Sequence, residues 1–193
     1  MALSKITNAS IGESLTNVTV SNASVLSGLP TGSVLQTLQA NKTDKQLIES
    51  TSFVDILSQA ITPSAASSGV LIMAYVTSGG NGHWDFKVTR TVSGGSEANI
   101  DNASGTGIGI GDIDQTKQRS ASHHWYKQWD GTQATIVLLD YPNTTSATTY
   151  KIKGSSLHDS SSYDITVNYQ YNTANAGYSA TTITSLTVQE IKG

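Results

Sequence analysis

A chain of 193 residues with a formal net charge of −3 and only 13% charged residues is too neutral to track the phosphates of a nucleic acid. It contains no cysteine, which excludes a disulfide framework and any thiolate metal site. No stretch approaches the roughly 18 consecutive apolar residues of a membrane span, and Met1–Ser10 lacks the basic and apolar regions of a secretory signal. Neither membrane insertion nor a nucleic-acid partner is expected.

Residues 1–33 contain no aromatic side chain, and Ile6, Ile11, Leu15, Val18 and Val20 are scattered without a helical period. So few apolar groups cannot offset the ordering entropy of an independent fold. The segment is therefore expected to be either an extended arm that packs on another surface, with those five residues as its attachment contacts, or a partly disordered tail. "GLPTG" (28–32) is a turn cluster and marks the boundary with a domain spanning 34–193.

From Val34 onward the hydrophobic period is two. Strands are expected at Val34–Ala40 and Phe53–Leu57, then in "GVLIMAYV" (69–76) after the turn "TPSAASSG" (62–69). "HWDFKVTRTV" (83–92) sets Trp84, Phe86, Val88 and Val92 against His83, Asp85, Lys87, Thr89 and Thr91, the alternation of a half-buried antiparallel strand. "TIVLLDY" (135–141), Tyr150–Lys153, "SSYDITVNYQYN" (161–172) and Ile183–Ile191 continue the series. "SGGNG" (78–82), "SGGSE" (93–97), "DG" (130–131) and "YPN" (141–143) supply turns. Short strands between turns, with no convincing amphipathic helix, indicate an all-β antiparallel sandwich or jelly roll. Two strands, 69–76 and 135–141, are apolar on both faces. The opposite sheet can cover one face, so a second copy of the chain is expected to cover the other.

The succession "GSVLQTLQANKTD", "STSFVDI", "QAITPSAASSGVLIMAYV", "FKVTR", "LLDYPNTTSATTYKIK" and "TSLTVQEI" resembles the C-terminal domain of tail-fibre-like structural proteins of marine and cyanobacterial bacteriophages. The likeness runs over about residues 32–192 and is most specific in the "LLDYPNTTSATTYKIK" block. Order and spacing are also similar to trimeric jelly rolls of the tumour-necrosis-factor and complement globular-head type. The resemblance implies a homotrimer on the virion surface, with the arm bound to another virion protein. The chain departs from the family pattern at "TKQRSASHHWYKQWDG" (116–131), heavy in His and Trp where the family is rich in Arg, Gly and Asn.

Catalytic signatures are missing. There is no G-x-S-x-G elbow, and "GTGIGIGD" (105–112) lacks the phosphate-binding glycine spacing. Asp101, Asp112 and Asp114 are too sparse for a calcium loop and read as solvated loop carboxylates. His123 and His124 are neighbours and point to opposite faces of a strand, so they cannot chelate together from one side. No enzyme activity, cofactor or metal is expected. The sharper candidate is the aromatic group His124, Trp125, Tyr126 and Trp129. It suits a host-surface glycan or protein, or else anchors the core or a subunit interface. The hydroxyl-rich "NTTSATT" (143–149) carries no acid, base or ligand and is expected to build a hairpin. The reading is a non-enzymatic virion structural protein of the fibre or receptor-binding type. A capsid decoration protein and a carbohydrate-binding module are the alternatives.

Overall fold

The computed structural model describes residues 28–100, 120–126, 131–157, 165–169 and 181–193, with Trp125 and Tyr126 described by backbone alone. Contacts divide the chain between Pro30 and Thr31, and the strands below all belong to the unit from Thr31 to Gly193. The attachment residues expected at Ile6, Ile11, Leu15, Val18 and Val20, and Trp129 of the aromatic group, lie outside the described residues.

The strands are β1 (Val34–Lys42), β2 (Gln46–Ile48), β3 (Val54–Ile61), β4 (Gly69–Gly80), β5 (Gly82–Val92), β6 (Ala98–Asn99), β7 (Ser122–Tyr126), β8 (Gly131–Asp140), β9 (Thr148–Ser156), β10 (Ile165–Val167) and β11 (Thr184–Ile191). They form two antiparallel sheets. The first runs β1-β11-β4, with β8 on the far side of β4 and the short β10 and β2 continuing from its end; the second runs β3-β9-β5, with β6 and β7 both on β5. Taking only the longer strands, the sheets are β1-β11-β4-β8 and β3-β9-β5-β7, the winding of a jelly roll.

Period-two alternation explains what each sheet buries. β4 turns Val70, Ile72, Ala74 and Val76 inward, β8 turns Ala134, Ile136 and Leu138, and β11 turns Leu186 and Val188. From the second sheet Trp84, Phe86, Val88, Tyr150 and Ile152 meet them. Each fully buried aliphatic or aromatic side chain contributes roughly 1.5–3 kcal/mol, so this layer is the source of the fold's stability. Gly154 is required here: a Cβ on it would stand 2.9 Å from Ile56 Cδ1 and 3.1 Å from Phe86 Cε1.

The chain crosses from one sheet to the other at a sharp corner. β4 continues through the glycines expected to form a turn, and Asn81 alone separates it from β5. Gly82 has φ 107°, a conformation that disfavours any side chain. Trp84 Nε1 donates to Ser78 Oγ across this corner at 3.2 Å.

Elsewhere the structure differs from the expected strands. The region 161–172 was expected as one continuous strand, but β10 ends at Val167. The next residue, Asn168, adopts φ 63°, which Asn tolerates better than most residues. Its Nδ2 donates to the carbonyls of Lys42 and Asp44 at 2.9 and 3.0 Å, and its Oδ1 accepts from Thr184 Oγ1 at 2.7 Å. The segment 141–147 was expected to build a hairpin, but β8 and β9 lie in different sheets, so it crosses from one sheet to the other and is held by its own small polar groups. Asn143 takes φ 52° and donates to Tyr141 O, while Ser146 N donates to Thr144 Oγ1 and Thr148 Oγ1 to Ser146 O.

Candidate functional site

The outer face of the first sheet follows from its register. Leu71 stands opposite Leu139, Met73 opposite Val137 and Tyr75 opposite Thr135. On the other flank of β4, Gln189, Thr187 and Ser185 face Leu71, Met73 and Tyr75, and Thr37, Gln39 and Asn41 of β1 continue the rows. Among these residues none is charged. Val137 is 61% exposed and the adjoining Tyr141 53%, while Leu71, Met73 and Leu139 are half-buried. A contiguous apolar centre with an uncharged hydroxyl and amide rim has the composition of a protein contact surface.

The carboxylates of these same strands point the other way. Asp140, 4% exposed, accepts two hydrogen bonds from Arg90 Nη1 at 2.6 and 2.8 Å and one from Tyr150 Oη at 2.7 Å. Arg90 and Tyr150 belong to β5 and β9, so this group ties one sheet to the other. Burial, then the adjacent Asp140 charge, pushes the Tyr150 phenol far above its ordinary value. Glu190, 1% exposed, accepts from Ser64 N, Ser64 Oγ, Ser68 Oγ and Gln36 Nε2 at 2.6–2.7 Å. Burial alone would raise its pKa, but the donors from Ser64, Gln36 and Ser68 outweigh it, and the group titrates below its ordinary range. It holds the 62–69 turn and β1 to the closing strand.

The second sheet carries its charge outward. Lys151 binds Asp55 at 2.7 Å and Glu97 at 3.2 Å, and Lys153 binds the same pair at 3.0 and 2.5 Å. Lys87, opposite Lys153 on β5, donates to Asn99 Oδ1 at 3.0 Å and lies over the Phe53 ring at 4.1 Å. The two lysines outweigh desolvation at Asp55 and Glu97, keeping both carboxyls below their ordinary values.

Of the aromatic group expected to contact a receptor, His124, Trp125 and Tyr126 fall on β7, beside β5. His124 pairs with Trp84 and turns toward the core. It stacks on the buried Trp84 ring, meets Phe86 edge-on, and shares a hydrogen bond with Ser122 Oγ. Burial, then the neighbouring His123, lowers its pKa. Trp125 pairs through its backbone with His83 and Tyr126 with Gly82. The groups brought together on the outer side are instead His83, Asp85 and His123. His123 Nδ1 donates to Asp85 Oδ1 at 2.7 Å, and His123 Nε2 lies 3.4 Å from His83 Nδ1. The sequence placed His83 and Asp85 on one polar strand face. Their meeting with His123 depends on the β5–β7 register, for which the sequence carries no signal.

No protein-family model matches the chain, and no curated protein matches it. Among the described residues, no helix is long and apolar enough to cross a membrane.

Proposed function

We propose that the chain is a non-enzymatic structural protein of a bacteriophage particle, a homotrimer whose sandwich stands on the virion surface as a fibre or receptor-binding head. The observation that carries the reading is the uncharged outer face of the β1-β11-β4-β8 sheet, where Leu71, Met73, Val137 and Leu139 lie side by side in the register. Such a face is costly to leave wet and is kept dry most simply by sister copies. The ordered sequence blocks that resemble phage fibre domains supply the virion setting and the number three.

Light scattering on the full chain after size-exclusion chromatography tests the assembly. The expected mass is three times that of one chain. A stable, folded single subunit at micromolar concentration would remove the support for the reading. Cryo-electron microscopy of the particle then separates the two virion roles. A few copies at the tail support the fibre; many copies across the head shell support capsid decoration.

A further inference from the structure

His83 on β5 and His123 on β7 occupy adjacent strands, diagonal to one another in a register that pairs His83 with Trp125 and Asp85 with His123. Their rings lie 25° from parallel with centroids 5.4 Å apart. That separation exceeds the 3.4 Å between His83 Nδ1 and His123 Nε2, so the facing nitrogens lie between the two rings. The other nitrogen of His123 is committed to Asp85, a carboxylate only 2% exposed. The His123 side chain itself is 51% exposed and within reach of an ion from solution.

We propose that His83 Nδ1 and His123 Nε2 form a two-imidazole site for a divalent transition-metal ion of the Zn²⁺ class, oriented by Asp85. Zn–N bonds of about 2.0–2.1 Å at a tetrahedral angle put two ligand nitrogens about 3.3–3.4 Å apart, the separation seen here. The Asp85 carboxylate accepts the Nδ1 proton of His123. That fixes the tautomer whose Nε2 bears a lone pair directed at His83, the carboxylate–histidine arrangement common behind metal ligands. Without metal, a proton shared between Nδ1 and Nε2 relieves lone-pair repulsion. The ion takes a lone pair from each neutral imidazole, the His83 proton moving to its Nε2; protonation of either ring competes with the ion, so binding weakens as pH falls. Among the described residues no three His, Cys, Asp or Glu side chains are placed to hold one metal ion together. The described residues thus supply two ligands, leaving positions open for water or for another donor. The site sits on the second sheet and does not depend on the subunit assembly proposed above.

Isothermal titration of the full chain with ZnCl₂ at pH 7.5 tests it, using His83→Gln and His123→Gln as the main variants. The expected result is one ion per chain, binding at least tenfold weaker in either variant and weaker again at pH 5.5. Asp85→Asn, if it folds, should lose roughly 10- to 100-fold in affinity. Cu²⁺ in place of Zn²⁺ should give an electron paramagnetic resonance spectrum with two-nitrogen coordination in the parent and not in the variants. The chain has four histidines, so equal binding by parent and variants would put the ion on another one and overturn the proposal. Absence of binding in the parent would overturn it as well.

Discussion

On the first sheet the carboxylates Asp140 and Glu190 are turned into the sandwich and the outer face is left without charge. On the second sheet Asp55, Lys151 and Lys153 stand outward, with Glu97 completing a closed set of four ion pairs. An ordinary solvated sheet spends its charge on the outside, as the second does. The first sheet inverts this arrangement. Its charges work as internal fasteners, each held by several donors, and its outer surface is left fit for contact with protein. The comparison teaches that outward charge, more than the total number of apolar residues, separates a wet face from a face made to be covered.

The largest expected effect comes from breaking that neutrality. Val137→Glu puts a carboxylate in the middle of the apolar rows. Desolvating it at the proposed subunit contact would cost roughly several kcal/mol per chain, so the proposed trimer should dissociate to folded single chains. Light scattering reads the mass, and far-UV circular dichroism checks the fold. Ser58→Glu, an exposed position opposite Lys151 on the second sheet, should leave the mass unchanged. Equal behaviour of the two variants would erase the distinction between the faces.

Next in size is the internal fastening. In Glu190→Gln, one amide oxygen can still serve Ser64 and Ser68, but the amide NH₂ then meets the Gln36 NH₂. Gln36 cannot turn round without losing its bond to Thr62 O. Leaving these buried donors without an acceptor should cost about 2–3 kcal/mol, read as a shift in the urea midpoint. A neutral result would mean that the inward carboxylate is not a fastener.

Acid sharpens the comparison through two groups with opposite chemistry and the same sign. His124 is held below its ordinary value of 6.5. The unfolded chain therefore takes up the proton first, and the contribution of His124 is full above pH 6.5 and lost as pH falls through the folded value. Glu190 is held below its ordinary 4.5, so its contribution is full above pH 4.5 and lost as pH falls through its own lower value. Stability should therefore decline in two stages on acidification. His124→Gln should flatten the first stage and leave the second, as measured by urea unfolding at a series of pH values. A first stage that survives the substitution would assign it to another histidine.

The sequence made the sandwich legible because β5 alternates cleanly and β4 and β8 read as short apolar runs bounded by turns. The doubly apolar character of 69–76 and 135–141 was likewise visible, and it proved to be one outer face because those two strands are neighbours. Other features depend on partners far away in the chain. Glu190 is satisfied by Ser64, Ser68 and Gln36, more than a hundred residues earlier, and no local pattern announces that. β7 was missed because "SHHWY" (122–126) offers no aliphatic alternation, and so the meeting of His83, Asp85 and His123 went unseen. The left-handed Asn168 likewise ends a strand that periodicity alone would have continued.

The smallest expected effect lies in the outward charges of the second sheet. Asp55, Glu97, Lys151 and Lys153 are partly exposed, so water and salt screen their attraction, and holding four flexible side chains together offsets part of the gain. Glu97→Gln removes one corner but leaves Asp55 bound to both lysines. It should lower stability by less than about 1 kcal/mol, and the difference from the parent should shrink further in 1 M NaCl. A large loss that persists in high salt would mean that this face is covered as well, as proposed for the first. The contrast between a wet sheet and a covered one would then have to be replaced by one between two covered faces of different chemistry.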